Sequence, residues 1–258
     1  MIFKLLVLLL APLLSGLFIF LVPKGTNTNF KLLLVFAGAY LFSITVIHIL
    51  PELYENSMQL EYIGLFVLIG FFLQQTLEYF TSGIEHGHLH GDHHHHHDHQ
   101  GHDHHHGNAK GVSAFVLLMA LCIHAFLEGG MLAQPLSGGP DYDINAILLG
   151  IALHRAPAAF ALMTVLAFQL GSRKKALPHL AVFSIAAPAG LLLSNYLTQE
   201  GWMSTTSLMY LYALVCGNFL HISTTIVFES SPEHRFHAKK LAVGIIGALV
   251  AVAVEQMV

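Results

Sequence analysis

The sequence predicts an all-α polytopic membrane protein, and three observations carry that prediction. Of its 258 residues 55% are hydrophobic and only 10% charged, with a mean hydropathy of +0.64, which is more apolar surface than a soluble domain of this length can bury. Apolar runs of about 20 residues, the length that crosses a hydrocarbon core of about 30 Å, recur eight times along the chain. Lys and Arg collect in alternate connections between those runs.

In order, the predicted spans are Ile2 to Val22, Phe30 to Leu50, Tyr62 to Phe80, Val112 to Ala133, Ile144 to Leu170, Leu177 to Leu197, Thr205 to Phe228 and Leu241 to Met257. The first has the look of a secretory signal, since Lys4 precedes an apolar stretch ending in Leu-Ser-Gly, but it runs well past the length of an h-region and reads as a span. The first connection holds Lys24 and Lys31, the third Lys110, the fifth Arg173, Lys174 and Lys175, and the seventh Arg235, Lys239 and Lys240. Those four are expected on the cytoplasmic side, which puts both termini outside and leaves Lys4 as the exception. The second, fourth and sixth connections carry acids such as Glu55, Asp141, Asp143 and Glu200. Cys122 and Cys216 lie inside predicted spans without C-x-x-C spacing, so neither a disulfide framework nor a thiolate cage is indicated. The chain thus divides into spans one to three over 1–80, a connection over 81–111, and spans four to eight over 112–258.

That connection is unlike the others. Between Glu85 and Lys110 thirteen histidines are interspersed with Gly, Asp92, Asp98 and Asp103. With almost no apolar residue it cannot pack a core, and disorder is expected. An affinity tag is the bland explanation, but tags are terminal and uniform, whereas this tract is internal and irregular. Neutral imidazole is a good ligand for zinc, copper, nickel and ferrous iron, and the densest part, His93, His94, His95, His96, His97, His99, His102, His104, His105 and His106, suits loose capture better than a closed structural site. Storage, sensing and delivery all remain open to such a tract.

Ionisable residues at membrane depth cost a few kcal/mol and are usually aimed at a partner, a cavity or a pathway. Span four places His124 and Glu128 at i and i+4, on one face. Span five carries His154 and Arg155, followed by Pro157. A short connection makes spans four and five antiparallel neighbours, and counting about 1.5 Å per residue from their outer ends puts His124, Glu128 and His154 at similar depths. Pro157 leaves the carbonyl of Leu153 without its N–H partner, and Pro188 does the same for Ser184, so spans five and six are expected to wall a polar path. A buried Glu128–Arg155 ion pair with the two histidines bonded around it is the structural alternative. His48 with Glu52 reads either as an entry vestibule or as an interfacial helix cap. His221 and Glu229, with His234 and His237 beyond, read as solvated helix-end residues, and Cys122 as packing.

The segments "VIHILPE" in span two, "HAFLEGG" in span four, "HRAP" in span five and "FSIAAPAG" in span six together resemble the signature segments of the ZIP family of divalent-metal transporters. The chain is similar to a divergent, bacterial-type member over essentially its whole length. The resemblance implies an inverted-repeat transporter bundle, helices one to three and six to eight around four and five, in the cell (inner) membrane. It also implies inward movement of zinc, and variously of iron, manganese or cadmium, through a metal site on helices four and five. On the matching positions His124, Glu128 and His154 become ligands. The chain departs from the family pattern at Ala158, where a glutamate ligand is usual, at Ala125, often an asparagine of a second site, and at Arg155, often a lysine. One metal is therefore expected, with the Arg155 cation standing where a second would be. Small residues such as Gly244 and Ala248 permit close helix contact and leave a homodimer open.

Two other functions fit parts of the sequence. One is a non-transporting metal sensor that uses the loop, which the Ala158 departure favours. The other is an intramembrane zinc hydrolase, for which the sequence has no H-E-x-x-H and no second midplane carboxylate once Glu128 is a ligand.

Overall fold

In the computed structural model, residues 1–22, 31–56, 60–81, 114–134, 144–229 and 238–256 are described. Eight helices account for nearly all of them, and no strand occurs among the described residues. Helix α1 is Ile2–Leu17, tightened at its end by a 3₁₀ turn over Phe18–Phe20. Helix α2 runs over 31–56 as an α stretch Lys31–Ile44, a π turn Thr45–Ile49 and a last α stretch Leu50–Asn56. The others are α3 Leu60–Thr81, α4 Ala114–Met131, α5 Ile144–Gln169, α6 Arg173–Gln199, α7 Thr205–Glu229 and α8 Ala238–Gln256.

Seven of the eight are long and apolar enough to cross a membrane. α8 differs in holding three charged residues, Lys239, Lys240 and Glu255, within its 19 residues. Outward faces carry Leu6, Leu14, Leu68, Phe72, Phe115, Leu192 and Leu249, all exposed, the surface that lipid covers. Every span being helical satisfies the backbone internally, as hydrocarbon requires.

Two expected boundaries shift by more than a helical turn. Span two continues through Pro51 to Asn56: Pro51 offers no N–H to the carbonyl of Ile47, and the wider π turn just before it absorbs the mismatch without ending the helix. Arg173, Lys174 and Lys175, expected in the fifth connection, form the first turn of α6, behind a glycine turn at Gly171 with φ +64°. Long cationic side chains reach an interface from within a helix end, so charge alone does not exclude helix there.

The helices pack as two groups of four. In one, α4 lies along α6, α1 along α5, and α1 meets α6; in the other, α3 lies along α7, α2 along α8, and α2 meets α7. These principal pairings map onto one another when helices 1, 2 and 3 are exchanged with 6, 7 and 8, and 4 with 5, as an inverted repeat demands. Helices α4 and α5, expected as packed neighbours, touch only sparingly; each leans on its own partner, and they face each other across their polar side chains. Lys4, the exception to the charge rule, donates to the carbonyl of Leu132 at 3.0 Å, a cation placed at the C-terminal end of α4. Arg173 donates to the carbonyl of Val22 at 3.0 Å, so α6 begins where α1 ends.

Candidate metal centre

Three side chains meet between α4 and α5. His124 Nε2 lies 2.9 Å from Glu128 Oε1, the i and i+4 pair of one helix face. The His154 ring stands edge-on to that of His124, 85° between planes and 5.8 Å between centroids. All three are buried, Glu128 completely. One ligand atom from each can be chosen so that all lie within 4.8 Å of one another, and among the described residues no other group of three His, Cys, Asp or Glu does so. Bonds of about 2.0–2.2 Å to nitrogen and oxygen hold an ion's donors within about 4.4 Å of each other. In a tetrahedral site such donors lie about 3.3–3.6 Å apart, so the trio closes on a first-row divalent ion by side-chain movements of about an ångström. Two imidazoles and one carboxylate are three protein donors, one fewer than the four of a closed structural zinc site.

Arg155 follows His154 but turns elsewhere. Its Nη2 donates to the carbonyl of Phe183 on α6 at 3.1 Å, and its guanidinium carbon sits 4.9 Å above the centre of the Phe183 ring. Glu128 instead faces His124, so the Glu128–Arg155 ion pair offered as a structural alternative is not the arrangement adopted. Phe183, whose side chain has no polar atom to mark it in the sequence, anchors the cation through its carbonyl and its ring. Pro157 and Pro188 both lie inside continuous helices. Beside them, Ser15 donates to the carbonyl of Ala156 at 2.5 Å, and Arg155 to that of Phe183.

Glycines set α4 beside α6 at this depth. A methyl group built on Gly129 would overlap the carbonyl of Ala187, and one on Gly190 would overlap the carbonyl of Phe126. The two backbones thus touch immediately next to Glu128, which fixes the carboxylate's height against α6.

Other sequence candidates fall in different places. His221 is buried, not solvated: its Nδ1 lies 3.4 Å from Glu78 Oε2 on α3, and its ring packs edge-on against Phe71. His48 sits between Glu52, 3.9 Å from Nε2, and Glu255 of α8, 2.6 Å from Nδ1. The loop histidines His93 to His106, with His234 and His237, lie outside the described residues.

A sequence model of the family described as ZIP zinc transporter matches residues 1–255, nearly the full chain. The chain belongs to the ZIP family. Membership makes the chain kin to transporters and not to enzymes. Among curated relatives, the chain is 29% identical over 114 residues to zinc transporter ZIP9 of Macaca fascicularis, covering 42% of this chain and 48% of that protein. It is 28% identical over 120 residues to zinc transporter ZIP9 of Xenopus tropicalis, covering 45% and 39%. The chain thus spans less than half the length of these relatives.

Proposed function

We propose that this ZIP protein carries divalent transition-metal ions, zinc foremost, across the membrane into the cytoplasm through a single site made of His124, Glu128 and His154. The observation that supports this reading best is the convergence of those three ligands, all buried at membrane depth. Iron, manganese and cadmium suit the same mixed nitrogen and oxygen donors. The ion sheds part of its hydration shell against the trio, and movement of the α1, α4, α5 and α6 group against the α2, α3, α7 and α8 group changes the side to which the site opens. Placement of Lys and Arg orients the bundle with both termini outside and the histidine-rich connection in the cytoplasm, where it takes up the released ion loosely. Uptake into reconstituted vesicles tests the whole reading. Deletion of residues 87–106 should leave the initial rate of zinc entry within about twofold, since the loop acts after translocation; entry by the intact, folded chain no faster than in empty vesicles would favour a sensor.

Arg155 makes the site a one-metal site. Its fixed positive charge, held by Phe183, lies beside His154, and Ala125 and Ala158 supply no donors for a second ion. Zinc density at the α4–α5 site in a solved structure of the loaded protein should account for one ion per chain, and two ions there would overturn this. Arg155→Gln removes the repulsion at similar length and should tighten zinc binding at the site by about tenfold, or about 1.4 kcal/mol. Protons and metal compete for the same lone pairs, so with equal pH on both sides of the membrane, zinc entry should slow as pH is lowered over the interval from about 8 to about 5. A rate that holds or rises over that interval would contradict metal binding through His124 and His154.

A further inference from the structure

The bonds made by Lys4, Ser15, Arg155 and Arg173 all fall within the group of α1, α4, α5 and α6, and the pairs His48–Glu255 and His221–Glu78 fall within the group of α2, α3, α7 and α8. Two tyrosines reach across from one group to the other. Tyr40 of α2 donates to the carbonyl of Ala146, in the first turn of α5, at 3.1 Å. Tyr212 of α7 donates to the carbonyl of Gln134, just past the end of α4, at 2.9 Å. Both tyrosines are fully buried.

The two bonds lie at the same end of the bundle, where α4 finishes and α5 starts. Ala146 precedes His154 by eight residues and Gln134 follows Glu128 by six, so at about 1.5 Å per residue the bonds stand about 12 Å and about 9 Å to that side of the trio. The Tyr40 ring also fills the approach along α5. Gly150, one turn before His154, leaves room for it: a methyl group built there would come 3.2 Å from Cε1 of the ring and 3.3 Å from a methyl carbon of Leu41. Beside α4, a methyl carbon of Leu211, the neighbour of Tyr212, comes 3.3 Å from the same point built on Gly130. Each bond is thus backed by an apolar surface that offers a cation no ligand.

An inverted repeat exchanges the two ends of a bundle. Swapping α2 with α7 and α4 with α5 turns the helix pair joined by Tyr40 into the pair joined by Tyr212, but it would carry the bond to the opposite end. Both bonds stand at one end, so the second is not the repeat's copy of the first. This closure is one-sided.

We propose that Tyr40 and Tyr212 are the latches of the outer gate: their hydroxyls fasten α2 and α7 to the outer ends of α5 and α4 while the site faces the cytoplasm, and both bonds break before an ion enters from outside. This rests on the proposed transport and orientation, which make that end the outer one. A neutral hydroxyl–carbonyl bond suits the task, because its net value is small enough to be broken in every cycle, whereas parting a buried ion pair leaves an uncompensated charge. One such bond biases the gate about fivefold, and two independent ones about 25-fold.

External zinc binds only the fraction of carriers open to it, so loosening a latch lowers the apparent KM. Tyr40→Phe and Tyr212→Phe each delete a hydroxyl and keep the ring. Each should lower KM for zinc offered at the outer face of oriented vesicles about fivefold, and the double variant about 25-fold, a gain that damage to the fold does not produce. A KM unchanged or raised in either variant, in protein that elutes and melts as the native chain does, overturns the proposal. The same fall met at the inner face upholds the latches and overturns the orientation instead. Should the native chain move no zinc, the transport reading fails and the latches are tested by distance, with spin labels at Glu55 and Glu200, exposed at the outer ends of α2 and α6, in a chain carrying Cys122→Ala and Cys216→Ala. A longer separation in the double tyrosine variant upholds them, and an unchanged one overturns them.

Discussion

Glu128→Ala should reduce zinc entry into vesicles to the level of vesicles without protein, a loss of at least about 100-fold, or about 2.7 kcal/mol. Glu128 supplies the one negative charge of the trio, since both imidazoles must be neutral to ligate, and the nearby Arg155 adds a positive one. Without the carboxylate a doubly charged ion would leave water for two neutral donors beside a fixed cation, in a site closed to solvent. Desolvating an ion in protein costs several kcal/mol, and two imidazole bonds do not offset it there. Glu128→Gln keeps the shape and loses the charge, so it should behave as Ala does. Glu128→Asp keeps the charge on a shorter arm and should retain part of the rate. His124→Ala and His154→Ala each remove one donor and should cost about 10-fold or more, at the scale of a single ligand. Entry within twofold of the native protein in Glu128→Ala would end the central-site reading.

The number and order of the spans could be read from the sequence because hydrophobic length is a local property. Their ends were harder. Pro51 and the run Arg173 to Lys175 carry the residue types that stop helices or mark connections, yet a π turn carries α2 past the first, and cationic side chains long enough to reach water let α6 begin at the second. Which helices pair was not legible at all. Gly70 and Gly217 bring α3 and α7 together, each lying where a methyl group would overlap the other's backbone, and Gly129 and Gly190 do the same for α4 and α6. Each contact uses one glycine from each helix, so no repeated small-residue motif announces it in either segment.

The centre was legible for a related reason. His124 and Glu128 are joined by helical spacing, and His154 by depth counted from the outer ends of two spans, both quantities the sequence contains. Glu255 was not, because it lies 207 residues from His48 and looks, by itself, like an acid at a helix end. His221 was misjudged as solvated for the same reason: its neighbours Glu78 and Phe71 come from α3, and nothing in α7 shows them. Phe183 escaped because its backbone carbonyl and ring face do the holding, and neither depends on a polar side chain.

The α4–α6 contact yields the second large effect. Gly190→Leu should destabilise the folded protein by about 3 kcal/mol or more and abolish zinc entry with it. The clash is with backbone: a Cβ at 190 would overlap the carbonyl of Phe126 and crowd the amide of Gly130, and neither can rotate aside as a side chain can. Relief requires α6 to move off α4, which uncovers Glu128 and shifts Phe183, and with it Arg155, away from the trio. Both the packing and the electrostatics of the centre therefore fail together. Gly64→Ala is the matched control, because nothing lies within 4 Å of a methyl group there, and it should change stability by no more than about 0.5 kcal/mol. Thermal unfolding of the solubilised chains separates the two. If Gly190→Leu melted with Gly64→Ala, the close approach of α4 and α6 would not be what holds Glu128 in place.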